Sequence, residues 1–162
     1  MKTKILIIGA CGQIGTELTQ NLRKIYGVEN VVASDVRKLN NSVVNDGIFE
    51  VVNALDFNQI QELIEKYEIT DVYLMAALLS ATAEKNPAFA WDLNMNSLFH
   101  VLNLAKDGKI QKIFWPSSIA VLALRHLKKI HHNSPLWNLQ PFTESVNNLA
   151  KDGVNTTTTF MA

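Results

Sequence analysis

A short apolar run that ends in a loop of regularly spaced glycines constrains the fold of this chain more than any other feature. Ile5–Ile8 is continuously apolar, as is typical of a strand buried on both faces of a parallel sheet. The loop G-A-C-G-Q-I-G follows directly, with glycines at Gly9, Gly12 and Gly15. Apolar residues then recur at helical spacing, at Ile14, Leu18, Leu22 and Ile25. A strand, a glycine loop and an amphipathic helix in this order predict a dinucleotide-binding site.

Each of the three glycines has its own structural role in a loop of this kind. Gly9 allows a tight turn, Gly12 lets a pyrophosphate approach the backbone, and Gly15 lets the helix pack closely on the strand. The N-terminus of the helix then offers free N–H groups and a partial positive charge to the phosphates.

A carboxylate at the end of the second predicted strand indicates which dinucleotide binds. Asp35 lies twenty residues beyond Gly15, where it would accept hydrogen bonds from the adenosine ribose and repel a 2′-phosphate. Arg37 instead favours NADP, because an arginine at this place can accommodate the 2′-phosphate. The pattern favours NAD over NADP as the cofactor.

Strands and helices alternate along residues 1–121. Further strands are predicted at residues 31–33, 49–52, 72–75 and 113–115, and helices at residues 58–67 and 86–105. This alternation is typical of an α/β fold, a doubly wound Rossmann sheet with parallel strands and right-handed crossovers. We expect residues 1–121 to be the N-terminal part of an NAD-binding domain, with the sheet incomplete after the fifth strand.

The amino-acid composition and the hydrophobic periodicity of the sequence change at Leu122. Residues 122–162 contain three of the four histidines, only two acidic residues and a run of four threonines. Neither the period of a strand nor that of a helix persists there. We therefore predict an atypical and poorly specified tail over residues 122–162.

Composition excludes several classes of protein. Fifteen basic residues balance fifteen acidic ones, so no net field favours nucleic acid or a membrane surface as a partner. The single cysteine, Cys11, excludes an intramolecular disulfide and a zinc site built from cysteines. The apolar run near the N-terminus is too short for a signal peptide or a membrane span. We expect a cytoplasmic protein without a metal site.

The glycine spacing G-x-x-G-x-x-G resembles that of the extended short-chain dehydrogenase/reductase superfamily, also described as the NAD-dependent epimerase/dehydratase family. Asp56, after the third predicted strand, resembles the aspartate that holds the adenine amino group in that family. Three residues after the fourth strand resemble the segment whose backbone lies along the cofactor, namely Met75, Ala76 and Ala77. The resemblance also assigns further residues to the cofactor site: Gln13, Ile14, Arg37 and Leu55.

Two further motifs resemble catalytic segments of the same superfamily. Residues 94–98, N-M-N-S-L, resemble the motif N-x-N-G-T-L, which makes Asn96 the candidate active-site asparagine. Residues 117–121, S-S-I-A-V, resemble the start of S-S-x-x-V-[YF]-G, which places the catalytic serine at Ser118.

Within the superfamily, residues 77–81, 91–96 and 113–118 resemble the short-chain type of L-threonine 3-dehydrogenase. This resemblance implies oxidation of the threonine 3-hydroxyl by hydride transfer to NAD, giving 2-amino-3-ketobutyrate. It makes Ser80 a substrate contact, L-threonine the small-molecule substrate and a homodimer the expected assembly. A nucleotide-sugar epimerase or dehydratase shares every cofactor motif, and a non-catalytic NAD-binding module is the alternative from another class.

The chain departs from the family at the catalytic base, a tyrosine in the motif Tyr-x-x-x-Lys. Its three tyrosines all precede Ser118, and none has lysine at the fourth following position. We therefore expect this chain to be inactive. The loss of one base near codons 121–122 would explain the tail, because the codons of residues 142–147, shifted by one base, permit Tyr-Gly-Ile-Ser-Lys.

Overall fold

A computed structural model describes residues 2–78, 80–116 and 155–157 of the chain. Parallel strands form a single sheet: β1 Ile5–Ile8, β2 Val31–Asp35, β3 Phe49–Val51, β4 Asp71–Leu74, β5 Lys112–Phe114 and β6 Asn155–Thr157. Their order in the sheet is β3-β2-β1-β4-β5-β6. The order reverses between β1 and β4, and the carboxyl ends of the strands beside such a reversal form a ligand-binding crevice.

Helices connect the strands: α1 Gln13–Tyr26, α2 Ser42–Asn45, α3 Phe57–Tyr67, α4 Ser80–Ala83, α5 Pro87–Trp91 and α6 Ser97–Lys106. A π-helical turn, Asp92–Asn96, joins α5 to α6, and a 3-10 turn, Val28–Asn30, precedes β2. The predicted doubly wound α/β sheet is confirmed, and the five predicted strands lie within two residues of their observed bounds. The short helices α2 and α4 and the π turn have no periodic pattern long enough to predict them.

Each face of the sheet packs against its own helices. Leu6 and Ile8 of β1 belong to a large buried cluster with residues of α3 and α6, and we call this side the α6 face. Ile5 and Ile7 belong to a smaller cluster with Leu22 of α1 and residues of α2, which we call the α1 face. Alternate side chains of one buried strand therefore supply two separate cores, as expected for a parallel sheet covered on both sides.

The apolar residues that recur at helical spacing in α1 are not all buried. The buried residues are Gly15, Thr19, Leu22 and Arg23. Ile14 and Ile25 are 51% and 72% exposed. Arg23 instead turns inward, and its guanidinium donates to the carbonyl oxygens of Val43 and Ile48, both at 2.9 Å.

A sixth strand extends the sheet beyond the five that the sequence predicts. Asn155–Thr157 pairs parallel with β5, with Lys112 opposite Asn155 and Phe114 opposite Thr157. The rest of the predicted tail, residues 122–154 and 158–162, lies outside the described residues.

Candidate dinucleotide-binding site

Two glycines of the loop between β1 and α1 are required by the protein's own packing. Gly9 has φ of +90°, and a Cβ there would lie 2.5 Å from the backbone nitrogen of Ala76, after β4. A Cβ at Gly15 would lie 2.2 Å from the carbonyl oxygen of Gly9. Both contacts are with backbone atoms, so a side chain at either position would force the loop, β4 and α1 apart.

Gly12 differs from these two glycines. Its φ of −72° suits any residue, and the atom nearest to a Cβ placed there is the Gly9 carbonyl oxygen, at an ordinary 3.4 Å. Neither backbone strain nor packing within the described protein explains this glycine. A bare backbone at an exposed position does suit a ligand that approaches closely, as the predicted pyrophosphate would.

The N-terminus of α1 lies next to Gly12 and suits an anion. Gly12 is the N-cap and provides no side-chain hydrogen bond, and the first turn contains no acidic residue. Gln13 and Ile14 are exposed at this end of the fourteen-residue helix. The helix dipole and the backbone N–H groups of the first turn therefore favour a phosphate group here.

Asp35 connects the end of β2 to the glycine loop. Its carboxylate accepts hydrogen bonds from the backbone N–H of Cys11 at 3.0 Å and of Arg37 at 3.1 Å. The residue is only 7% exposed, whereas the side chain of Arg37 is mostly in solvent with its Nε 3.9 Å from Asp35 Oδ1. Asp35 thus presents a fixed negative charge beside the loop, as recognition of ribose hydroxyls requires.

Cys11 lies inside this loop but is not suited to be a nucleophile. Burial, followed by the charge of Asp35, raises the pKa of its thiol, although the backbone of Leu39, Arg37 and the side chain of Asn41 act in the opposite direction. Its sulfur lies 3.7 Å from the carbonyl oxygen of Arg37. A raised thiol pKa leaves little thiolate near neutral pH.

Asp56, which the resemblance assigns to the adenine, and Leu55, which it assigns to the cofactor site, lie between β3 and α3. Asp56 is the N-cap of α3, and its carboxylate accepts from the backbone N–H of Gln59 at 3.1 Å and from its Nε2 at 2.8 Å. The sequence motif therefore coincides with a helix cap that the fold needs in any case. Leu55 lines a neighbouring cavity of about 290 Å³ with Asp92, Asn96, Phe99 and His100.

The segment after β4 lies directly beside the glycine loop. The backbone N–H groups of Met75 and Ala76 both donate to the carbonyl oxygen of Ile8, at 2.7 and 2.9 Å. This places the predicted cofactor segment beside Gly9, with Ala77 exposed. The glycine loop, Asp35 and residues 75–77 thus meet at one edge of the sheet.

Asn94 is a site residue that the sequence motif did not single out. Its Oδ1 accepts the backbone N–H of Leu78 at 2.8 Å, and its Nδ2 donates to the carbonyl oxygen of the same residue at 3.3 Å. Asn96, the predicted active-site asparagine, instead donates to Asp92 at 2.9 Å. Both asparagines lie in the π-helical turn, and such turns are frequent at functional sites. The motif N-x-N contains both, but only their orientation shows which one holds the loop.

The predicted substrate residue and the predicted catalytic serine are not tested by the described residues. The backbone of Ser80 begins α4, and its side chain lies outside what the structure describes. Ser118 and the positions of the shifted Tyr-x-x-x-Lys motif also lie outside the described residues.

Neither a group of metal ligands nor a membrane-spanning helix occurs in the described part of the chain. Within residues 2–78, 80–116 and 155–157, no group of His, Cys, Asp and Glu could hold a metal ion. No helix in these ranges is long and apolar enough to cross a membrane. The residues present fit a dinucleotide, because Gly12 leaves room for phosphates, α1 favours their charge and Asp35 offers acceptors for hydroxyl groups.

Comparison with known proteins agrees with this geometry. A model of the NAD dependent epimerase/dehydratase family matches residues 5–144. An uncharacterized epimerase/dehydratase from Staphylococcus saprophyticus is 50% identical over 117 residues, which are 72% of this chain and 36% of the relative. The chain thus spans little more than a third of the length of such curated relatives.

Two solved structures of threonine dehydrogenases are similar to the chain. A partial consensus L-threonine 3-dehydrogenase is 56% identical with a TM-score of 0.69, covering 72% of this chain and 37% of that one. The L-threonine dehydrogenase of Clostridium difficile is 48% identical with a TM-score of 0.70, covering 74% and 37%. The family and the cofactor NAD, both predicted from the sequence, are confirmed.

Proposed function

Because the chain belongs to the NAD-dependent epimerase/dehydratase family, we propose that residues 1–121 are the NAD-binding part of an L-threonine 3-dehydrogenase. The observation that carries the proposal is the high identity to threonine dehydrogenases over most of the described residues. The complete enzyme oxidises the threonine 3-hydroxyl and yields 2-amino-3-ketobutyrate. NAD, when bound, supplies the hydride acceptor.

In this proposal each part of the crevice binds one part of the cofactor. The backbone at Gly12 and the N-terminus of α1, with Gln13 and Ile14, hold the pyrophosphate. Asp35 accepts hydrogen bonds from the ribose hydroxyls, and its buried position keeps the carboxylate in place. Leu55 and Asp56 contact the adenine, and the backbone of residues 75–77 lies along the rest of the dinucleotide.

The preference for NAD over NADP tests the assignment of Asp35. Its fixed carboxylate would face a 2′-phosphate at close range, so NAD should bind more tightly than NADP. We expect Asp35→Gly to bring the dissociation constants of NAD and NADP closer together. The substitution removes the repulsion between the carboxylate and the 2′-phosphate and leaves Arg37 nearby. Titration calorimetry with both dinucleotides gives the two dissociation constants. Tighter binding of NADP by the unmodified chain would overturn the assignment.

Threonine oxidation also needs a base that accepts the hydroxyl proton. No tyrosine of this chain stands in a Tyr-x-x-x-Lys motif, and the loss of a general base alone costs roughly 10²–10⁴-fold in rate. We therefore expect the 162-residue chain to bind NAD without oxidising threonine. Threonine-dependent formation of NADH that Ser118→Ala abolishes would contradict this expectation.

The tail is proposed to be the product of a shifted reading frame. In support, the match to the curated relative is 117 residues long, close to the 121 residues that precede the tail. The family model matches further, to residue 144, and therefore includes the first part of the tail. Restoring one base at codons 121–122 permits Tyr-Gly-Ile-Ser-Lys at positions 142–147. Sequencing the gene across codons 118–125 and past codon 162 tests this. A stop codon in the shifted frame before the tyrosine position would show that the tail is genuine.

A nucleotide-sugar epimerase or dehydratase is the alternative function, because the description of the family names epimerases and dehydratases. The frame-restored protein separates the two by its substrate: threonine supports the dehydrogenase, and a uridine diphosphate sugar supports the epimerase. NAD binding without turnover of either substrate would favour a non-catalytic module.

A further inference from the structure

Residues 36–41, between β2 and α2, carry a charged side chain that bears on the choice between NAD and NADP. Asp35 accepts the backbone N–H of Arg37 at 3.1 Å, and the Arg37 Nε lies 3.9 Å from the same carboxylate oxygen. A phosphate oxygen needs about 2.8 Å to the guanidinium that binds it. A phosphate group therefore does not fit between the side chains of Asp35 and Arg37 as they stand.

The far end of this segment is held by α1. Helix α2 has only four residues, too few to be stable without tertiary contacts. Gln20 of α1 donates to the hydroxyl of Ser42 at 2.7 Å. The guanidinium of Arg23 donates to the carbonyl oxygens of Val43 and Ile48, both at 2.9 Å, and so ties both ends of the turn that joins α2 to β3. Residues 36–41 are therefore fixed at both ends.

An apolar side chain at Arg23 would cost less free energy to bury than the guanidinium does. Arg23 is only 7% exposed, and among the described residues its Nε has no hydrogen-bond partner. Burial lowers the pKa of Arg23, and the charge of Asp46 only partly offsets this effect. The backbone leaves room for the guanidinium, because a Cβ at Gly47 would lie 2.6 Å from its Cζ. Packing alone does not require a buried cation, so the contribution of Arg23 is the set of hydrogen bonds that fixes α2.

We propose that Arg23 is a positioning residue for the choice of cofactor, because it holds residues 36–41 where Arg37 closes the space that the 2′-phosphate of NADP requires. The inference rests on the proposed roles of Asp35 and Arg37 in the NAD site. Binding of NADP requires this segment to move away from Asp35, and the hydrogen bonds from Arg23 to the backbone oppose that movement. The charge of Asp35 is thus one contribution to the preference for NAD, and the rigidity of residues 36–41 is a second.

Titration calorimetry of the 162-residue chain with NAD and with NADP tests the inference. Arg23→Met removes the hydrogen bonds to the backbone and keeps a long apolar side chain, and Lys24→Met is the matched control at an exposed position of the same helix. We expect the ratio of the dissociation constant of NADP to that of NAD to fall about fivefold in Arg23→Met. The ratio should stay unchanged in Lys24→Met. A general loss of stability does not change this ratio, because both dinucleotides bind the same folded protein.

Two further variants show whether Arg23 acts through Arg37. The fall in the ratio should disappear when Arg23→Met is combined with Arg37→Ala, because no guanidinium then remains to receive the phosphate. Arg23→Lys keeps the charge but offers a compact ammonium in place of the planar fork. Its ratio should lie between those of the unmodified chain and of Arg23→Met, and it carries the test if Arg23→Met does not fold.

Each other outcome overturns the inference in a distinguishable way. An unchanged ratio in the folded Arg23 variants would refute the positioning role and leave the cofactor assignment intact. An equal fall in Lys24→Met, or a fall that persists without Arg37, would show a general effect of charge in place of positioning. Tighter binding of NADP by the unmodified chain, or binding of neither dinucleotide, would refute the proposed cofactor site and the inference with it.

Discussion

The two neighbouring loops at the carboxyl edge of the sheet, the glycine loop and the loop after β4, are held in different ways. The glycine loop is shaped by close backbone contacts, because Gly9 and Gly15 leave no space for a Cβ. The loop after β4 is held at Leu78 by one side chain, Asn94, from a helical segment sixteen residues later. A loop of the first kind contains the glycines that its close contacts require, even where the contact is with the distant backbone of Ala76. A loop of the second kind depends on a side chain that lies outside it. The first is therefore the easier one to recognise in a sequence.

Among substitutions in the two loops, Gly15→Ala is expected to lower the stability of the protein most. The new methyl group would meet the Gly9 carbonyl oxygen and Ala10, which are backbone atoms that cannot turn away. We expect a loss of about 1–3 kcal/mol in the free energy of unfolding, as for other overpacked sites. Urea unfolding followed by circular dichroism measures it, with Gly12→Ala as the control because its Cβ has room. Equal stability of the two variants would show that packing does not set the loop.

A smaller effect is expected when the second loop loses its tether. Asn94→Ala removes both hydrogen bonds to Leu78 and should cost about 1–2 kcal/mol. Hydrogen exchange at the Leu78 amide should accelerate specifically, which a general loss of stability would not produce. The exchange rate of the Leu78 amide in the Asn94→Asp variant should lie between those of the unmodified chain and of Asn94→Ala. A carboxylate still accepts the Leu78 N–H but cannot donate to the Leu78 carbonyl oxygen.

Asn96→Ala is the matched control for this tether. It removes only the exposed contact with Asp92, so the Leu78 amide should exchange as in the unmodified chain. Faster exchange at Leu78 in the Asn96 variant would mean that the π-helical turn as a whole, and not Asn94, holds the loop.

Gly12→Ala is expected to change the stability of the protein least. It should nevertheless weaken the binding of NAD. No described atom lies closer than 3.4 Å to the new methyl group, so stability should stay within about 0.5 kcal/mol. NAD should bind about tenfold more weakly, which corresponds to the loss of one hydrogen bond to a charged group. Calorimetry measures the binding. Unchanged affinity would mean that the pyrophosphate does not approach this backbone.

The sequence alone predicts the sheet and one half of the site. Ile5–Ile8 has the pattern of a strand buried on both faces, and the glycines after it mark the tight loop that follows. Asp35 follows its strand directly, so its position at the carboxyl edge of the sheet is also a local property. The resemblance to known dehydrogenases added the adenine loop and the segment after β4, which no periodicity indicates.

What the sequence by itself determined is therefore the order of strands and helices and the glycine loop, because the residue pattern that marks each of them lies within one short segment of the chain. Only the tertiary structure decided that Ile25 lies in solvent while Arg23 turns inward, and that Asn94 rather than Asn96 holds Leu78. The helical pattern of α1 and the motif N-x-N permit either arrangement. The choice is made by partners distant in sequence, the carbonyl groups of residues 42–48 and the loop after β4, and the pattern of a single segment contains no information about them.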